Sequence, residues 1–579
     1  AAFAALFWIF YPFIHKMITQ MGMESAISAF FIALLIYRVA RQSSSGIEEA
    51  EPAPAGAIFR PALVCGVIGM LAVFARLDNI FLVLLVGVWY GLRPVRMRYL
   101  LLSDVALIAL GVMWSFMKRV GFGPQFTQNA PAVYWMIMLA LAIRIALYYF
   151  AGLYGAPVRR EPQGSGWKDW ALYLARGAVA SLAATVLLSG AMLALQALHV
   201  FPGFPRLTLA YEAGAGLASF LVVRLAAILL ARGEKLPLET ALAGLEQKER
   251  ASRSEAVRWR PTILRLCGFF APLVLGLVVY MGLSQWYYGT PMPVSGQIKR
   301  WWGTLPNTVY GQPVNSLAGM LSLTLEGGRW ELVGSLVAWP AALPVWLRLL
   351  IYGGAVLALL LKLWRRTRAA IHQMALFPLF AGSFVQLISY TGTGYLHMRE
   401  WYWTVSMMVV TLLLSIALDN LLCLLEGSLP RGVSLARYAR PLGVILCFLV
   451  VLYGVKEIVR RMPMQLSTRM QGYYLESIHE LEASTEPGSL IGSTGGGVIA
   501  YFIEDRTVVN LDGLMNTSEY FHLLQQGKAA QYLDRIGLDY VSASELVITD
   551  SDPYFQFKGR LKKLIKFGGA TLFQWQSEE

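Results

Sequence analysis

Residues Thr262–Ser284 read TILRLCGFFAPLVLGLVVYMGLS, and Trp286–Trp302 shortly after them read WYYGTPMPVSGQIKRWW. The first string carries a single charge, Arg265, and at about 1.5 Å rise per residue it is long enough to cross the roughly 30 Å hydrocarbon core of a bilayer. The second string therefore starts at a membrane surface. Pro291 and Pro293 forbid continuation of the helix and favour extended backbone. Aromatic rings on both sides suit the headgroup level, where one ring edge is wet and the other apolar. Lys299 and Arg300 then set positive charge beside lipid. A rigid cationic loop of this kind suits recognition of an anionic lipid headgroup; the same composition also suits a plain juxtamembrane anchor.

Of 579 residues, 56% are hydrophobic and 15% charged, against about 25% charged in soluble domains, so the chain reads as a polytopic membrane protein. Net charge is +14, but the basic residues fall in short loops between apolar runs and not in one stripe. That pattern excludes nucleic acid as a partner. The four cysteines, Cys65, Cys267, Cys423 and Cys447, each sit inside an apolar run without C-x-x-C or histidine spacing, and are read as helix-packing residues and not metal ligands. No Ser/His/Asp order, H-E-x-x-H, P-loop or EF-hand occurs, so hydrolase, zinc-protease and ATP-driven readings lose their support. Ala1 opens inside an apolar run of about fourteen residues, short of the roughly twenty a span needs, with no basic signal-peptide region before it. The reading expects further sequence upstream.

Apolar runs mark about thirteen candidate spans, from Ala1–Ile14, Ala26–Tyr37, Pro61–Ala75 and Ile80–Tyr90 through Ala370–Tyr390 to Leu442–Val455. The expected fold class is an all-α polytopic transmembrane bundle of about 11–13 spans over residues 1–459. After it, acidic and basic residues return in ordinary proportion among short strand-like and helix-like runs, so residues 460–579 are read as a small soluble α/β domain. Arg38/Arg41, Arg93/Arg96/Arg98, Arg159/Arg160, Arg232–Arg260, Arg365/Arg366/Arg368 and Arg431/Arg437/Arg440 occupy alternate loops, which are read as cytoplasmic. The other loops, and the C-terminal domain with them, are placed outside.

Three constellations fall on that outside face. Gly22-Met23-Glu24 precedes a span, where a glutamate favours a helix N-terminus, and Arg76-Leu77-Asp78-Asn79 sets two opposite charges between two apolar runs as an ion pair. The turn Thr393–Trp403 carries His397 and Arg399 beside aromatics; its arginine offers a planar fork for phosphate oxygens, or snorkels to water from an aromatic belt. In the C-terminal domain, Ser493-Thr494-Gly495-Gly496-Gly497 after a strand, with Asp512 ending the next strand, imitates a dinucleotide turn but lacks G-x-G-x-x-G. Tight strand-to-helix packing is the preferred reading.

Tyr287-Tyr288-Gly289-x-x-x-Pro293, with Lys299 six residues on, resembles the Y-Y-G-x-x-x-P-N-T-x-x-A-K segment of GT-C integral-membrane glycosyltransferases, particularly the arabinofuranosyltransferase-like branch; Val294-Ser295 stand where Asn-Thr is usual and Ile298 where Ala is common. Gly22-Met23-Glu24 is similar to a G-L/M-E turn of that family, Arg76-Leu77-Asp78-Asn79 to its R-P-D-G with Pro and Gly replaced, and the His397–Arg399 turn to its H-x-R. Val508–Asn516 resembles a recurrent phrase in the C-terminal domains of such proteins. The resemblance implies an inverting glycosyltransferase of the bacterial cytoplasmic membrane that takes a polyprenyl-phosphate sugar donor at the outer face and a cell-envelope glycan or lipid as acceptor. It implies Lys299, Arg399 and His397 as donor-phosphate residues and Glu24, Arg76, Asp78, Tyr288 and Pro293 as their outer-face support. Asp512, Tyr520 and Trp575 are weaker candidates for acceptor binding. The family's base is an aspartate in the first outer loop, expected upstream of Ala1. No cofactor is assigned, with a divalent cation left open. A lipid-linked sugar flippase or transporter and a non-catalytic envelope scaffold are the alternatives. Transporters are expected to show internal repeats and charges at mid-membrane, whereas here no repeat is visible and the charges singled out lie at outer turns, which favours transfer.

Overall fold

The computed structural model describes residues 2–15, 24–44, 54–92, 95–154, 166–201, 203–233, 259–311, 316, 336, 342–392, 394, 400–427, 436–461, 469–567 and 570–578. Among the described residues nine helices are long and apolar enough to cross a membrane, or ten if Trp346–Lys362 and Trp364–Gln373, bent by 93° at their junction, form one broken span. The chain is a multi-pass membrane protein with a small C-terminal α/β domain. Some runs that the sequence presents as spans are shorter helices: Leu77–Gly91 and Leu376–Thr391 are apolar but part-length. Pro12, which lacks the amide of an ordinary helical residue, divides the first run into Ala2–Phe10 and Pro12–His15.

The main helices are α1 (Ala2–Phe10), α2 (Ser25–Ser44), α3 (Ala55–Ala75), α4 (Ile80–Gly91), α5 (Val95–Val120), α6 (Ala130–Phe150), α7 (Gly166–Ala197), α8 (Leu207–Gly233) and α9 (Trp259–Tyr288). After these come α10 (Val294–Trp302), α11 (Val345–Lys362), α12 (Trp364–Gln373), α13 (Leu376–Gly392), α14 (Thr404–Gly427), α15 (Ala436–Arg461) and α16 (Arg469–Ser484). Helices α5 to α8 pack around Phe116, Met136, Tyr148, Leu188 and Phe220. A second core, with Leu35, Val83, Trp89, Phe269 and Leu379, joins α2, α3, α4, α9 and α13. Between lipid-facing helices the attraction comes from close packing, and small residues permit it. At the α3–α9 crossing a Cβ on Gly268 would lie 2.8 Å from the Cβ of Ala62 and 3.0 Å from the Phe59 carbonyl oxygen, so a larger residue would separate the helices.

The stretch after α9 departs from the extended loop expected of it. Helix α9 runs to Tyr288, Gly289 turns with φ +71, and Pro293 caps the start of α10. Proline suits a helix start because its missing N–H has no intrahelical partner there. Ile298 and Trp302, four residues apart, are buried together, in a third core with Phe7, Tyr402, Met407 and Phe521. The juxtamembrane segment is therefore an amphipathic helix wedged between the bundle and the C-terminal domain.

That domain is a five-stranded sheet in the order β2-β1-β3-β5-β4, with β1 (Leu490–Ser493), β2 (Thr507–Asn510), β3 (Tyr540–Ala543), β4 (Leu561–Phe567) and β5 (Ala570–Trp575). Strand β1 pairs in parallel with β2 and β3, while β5 is antiparallel to β3 and β4. Leu511, Val541 and Phe573 belong to one core and Ile491, Ile499 and Leu572 to a second, so helices cover both faces, as a parallel sheet requires.

Candidate functional site

The turn between α3 and α4 is built first. Arg76 leaves α3 in extended conformation, and Asn79 locks the turn by donating to Ser28 Oγ at 2.8 Å and to the Ala72 carbonyl at 2.7 Å. Held this way, Arg76 donates through Nε to Asp78 Oδ1 at 3.1 Å and through Nη2 to Oδ2 at 2.9 Å. Helix α13 supplies two more donors to Asp78 Oδ2, Gln386 Nε2 at 2.7 Å and the Tyr390 hydroxyl at 2.9 Å. Glu24 stands farther off, 3.8 Å from Arg76 Nε, with 43% of its side chain exposed.

Tyr402 joins this turn to the juxtamembrane helix. The Arg76 guanidinium lies over its ring, 4.8 Å from the centroid, and the Tyr390 ring meets it nearly edge-on at 4.9 Å. From α10, Lys299 Nζ donates to the Tyr402 hydroxyl at 2.6 Å. Glu24, Arg76, Asp78 and Lys299, dispersed in sequence, are thus gathered at one end of the bundle around a buried tyrosine. Arg300 turns elsewhere, its guanidinium 5.3 Å from the Tyr134 ring centre on α6. His397 and Arg399 lie outside the described residues; Tyr402 follows Arg399 by three positions in the sequence. Pro293 contributes as the cap of α10, and the Tyr288 carbonyl accepts a hydrogen bond from Ser518 Oγ at 3.1 Å, tying the span end to the C-terminal domain.

Asp512 sits on the domain side of this junction. Its carboxylate accepts the backbone N–H of Leu514 at Oδ1 and of Gly495 at Oδ2, both at 3.0 Å. Burial pushes its pKa above the ordinary carboxylate range, opposed by those two amides, by Asn510 and by the positive charge of Lys299. Within the glycine-rich turn only Gly496 is tightly packed, where a Cβ would lie 2.9 Å from Ser493 and 3.1 Å from Val508; one on Gly497 would meet nothing within 4 Å. The other two weaker acceptor candidates lie in the domain core. Tyr520 is fully buried with its hydroxyl donating to the Leu511 carbonyl at 2.8 Å, and the buried Trp575 donates to Asp534 Oδ1 at 2.8 Å. Both direct their polar atoms to partners within the domain. Among the described residues no group of three His, Cys, Asp or Glu side chains is placed to hold a metal ion.

Sequence reasoning missed four charges within the spans, and with them part of its case against transport. Arg144 on α6 donates to Glu212 of α8 at 2.7 and 2.9 Å from Nη2 and at 3.0 Å from Nε, with Ser181 Oγ at 2.7 Å and Thr185 Oγ1 at 2.9 Å completing its shell from α7. Arg224 on α8 forks onto Asp104 of α5 at 3.1 and 2.9 Å. All four side chains are buried. Each was legible as a lone charge in or beside an apolar run, which in a membrane calls for a partner. No family model, curated protein or solved structure matches the chain.

Proposed function

We propose that the protein is an inverting GT-C-type glycosyltransferase, transferring a sugar from a polyprenyl-phosphate donor to a cell-envelope glycan or lipid on the outer face of a bacterial cytoplasmic membrane. The observation that carries the reading is the meeting of Lys299 and Arg76 at Tyr402. These residues belong to, or closely follow, the three separate stretches that resemble the family. In the reaction the acceptor oxygen attacks the anomeric carbon, and the polyprenyl phosphate leaves with the electron pair of the broken C–O bond. Lys299, with Arg399, stabilises the charge arriving on that phosphate, and a carboxylate takes the acceptor proton. Asp78 is not that carboxylate, because it already accepts hydrogen bonds from Arg76, Gln386 and Tyr390.

Transfer from a radiolabelled polyprenyl-phosphate sugar, in membranes containing the protein, tests this directly. Lys299→Ala and Arg399→Ala should each cost about 2–4 kcal/mol of donor binding or transition-state stabilisation, as when one partner of a buried charge contact is removed. Rates within about twofold of the parent protein would remove the phosphate site. A second reading, a lipid-linked sugar flippase, is favoured by the buried pairs Arg144–Glu212 and Asp104–Arg224, since ionisable groups within spans mark pathways in transporters. Translocation of labelled donor in reconstituted vesicles without product formation would select it.

A further inference from the structure

The parallel strands β1, β2 and β3 all end on one edge of the C-terminal sheet, and that edge is bound to the membrane bundle. Besides the Ser518–Tyr288 bond, Asn307 Nδ2 donates to the Asp550 carbonyl and accepts at its own carbonyl from the Asp552 amide, each at 2.7 Å. Gly513, just past β2, packs so closely on Ile298 of α10 that a Cβ would lie 2.8 Å from its Cδ1. The end of α9 marks the lipid level, since Trp286, Tyr287 and Tyr288 are exposed there as an aromatic belt.

On this same edge the domain exposes large apolar side chains that a water-facing surface would not favour. Met515, in the turn after β2, is 82% exposed, Leu546 just after β3 is 68% and Phe555 is 57%. Past β1, Val498 at the start of the short helix Gly497–Phe502 is exposed as well. The opposite edge carries charge instead: Glu504, Asp505, Arg506 and Asp539 flank the strand starts, with Arg506 donating to the Glu482 and Thr485 carbonyls.

The geometry points to a lipid-binding surface on the C-terminal domain: its strand-end edge rests on the bilayer beside α9, with Val498, Met515, Leu546 and Phe555 set among the headgroups. The occupant is the lipid surface itself, because the edge is tied to the residue that ends a span, and apolar side chains at that level bury against acyl chains. The domain then approaches the bundle as a lid over α10 and Lys299, with its charged edge turned to water.

Site-directed spin labelling in lipid nanodiscs tests the surface. In a protein with its four native cysteines replaced, Val498→Cys, Met515→Cys and Leu546→Cys carry the label, and Glu504→Cys is the charged-edge control. Collision with lipid-soluble oxygen should exceed collision with an aqueous nickel chelate by roughly threefold at the first three positions and reverse at the control. Nickel access at Met515 and Leu546 equal to that at Glu504 would overturn the proposal, and so would protection from both relaxants, which would mean a glycan or protein cover. Folding is checked by melting within about 2 °C of the unlabelled protein. As a second measurement, Val498→Asp with Met515→Asp should raise nickel access at a labelled Leu546→Cys; unchanged access contradicts lipid contact.

Discussion

Two groups of charges in this protein are built differently. Inside the α5–α8 unit, Arg144 meets Glu212 and Arg224 meets Asp104, with one cation for one anion and 0–2% of each side chain exposed. At the bundle end, Lys299 donates to a phenol, Arg76 pairs with Asp78 and has Glu24 3.8 Å away, and Asp512 feels the Lys299 charge across the domain junction. The closed pairs satisfy the rule that a charge in a low-dielectric interior must be matched or neutralised. The end cluster instead shares its charges among several neutral partners, Tyr402, Tyr390 and Gln386 among them.

The largest effect expected from breaking that contrast lies in the closed pairs. Glu212→Ala leaves Arg144 buried without its anion and should cost about 3–5 kcal/mol of stability, whereas replacing both members together by Met and Leu should be close to neutral. Thermal unfolding of the purified protein in detergent separates the two cases. If the single and double variants melt alike, the pair is not a closed structural unit and the flippase reading gains. Gly216→Ala should act in the same direction as Glu212→Ala, since a Cβ there would run into the Arg144 guanidinium.

A smaller effect is expected at the junction. Tyr402→Phe keeps the ring under Arg76 but deletes the hydroxyl that accepts the Lys299 hydrogen bond. One hydrogen bond to a charged group is worth about 1.5–3 kcal/mol, and part of it is recovered by water, so the melting temperature should fall only slightly while transfer falls roughly tenfold. Loss of stability without loss of transfer would make Tyr402 a packing residue only.

How much of this was legible depended on whether a signal was local. The membrane class followed from composition, and the span at Thr262–Ser284 and the change of character after residue 460 followed from runs that need no partner. Loop charge also put Glu24, Arg76, Asp78 and Lys299 at the same end, where the fold gathers them. Tyr402 and Tyr390 were not legible, because aromatics at a membrane edge read as a belt whether or not they bridge charges. Arg144 and Arg224 gave a signal without an address: a lone arginine in an apolar run requires a partner but does not say which helix brings it. The α10 helix was readable after all. Ile298 and Trp302 stand four apart with Lys299 and Arg300 between them, a helical spacing that the two upstream prolines obscured.

The smallest effect would sharpen the comparison by asking whether the end cluster and the C-terminal domain are one electrostatic unit. Asp512 is buried, and burial raises its pKa above the ordinary carboxylate value. In the folded protein it therefore binds a proton more readily than in the unfolded chain, so unfolding free energy falls as pH rises across the interval between the two values. The stabilisation is fully present below the unfolded value and lost as pH rises through the folded one. This sign is opposite to that of a carboxylate held in a tight ion pair. Unfolding of the C-terminal domain, followed by hydrogen exchange between about pH 4 and about pH 7, should show this slope in the parent protein and lose it in Asp512→Asn. Lys299 lowers the Asp512 pKa through space. Removing that charge with Lys299→Ala should move the inflection to higher pH, although residue 299 lies on the membrane side of the junction. An inflection that stays in place would mean that the domain feels the bundle only through packing, and that Lys299 and Asp512 do not share a site.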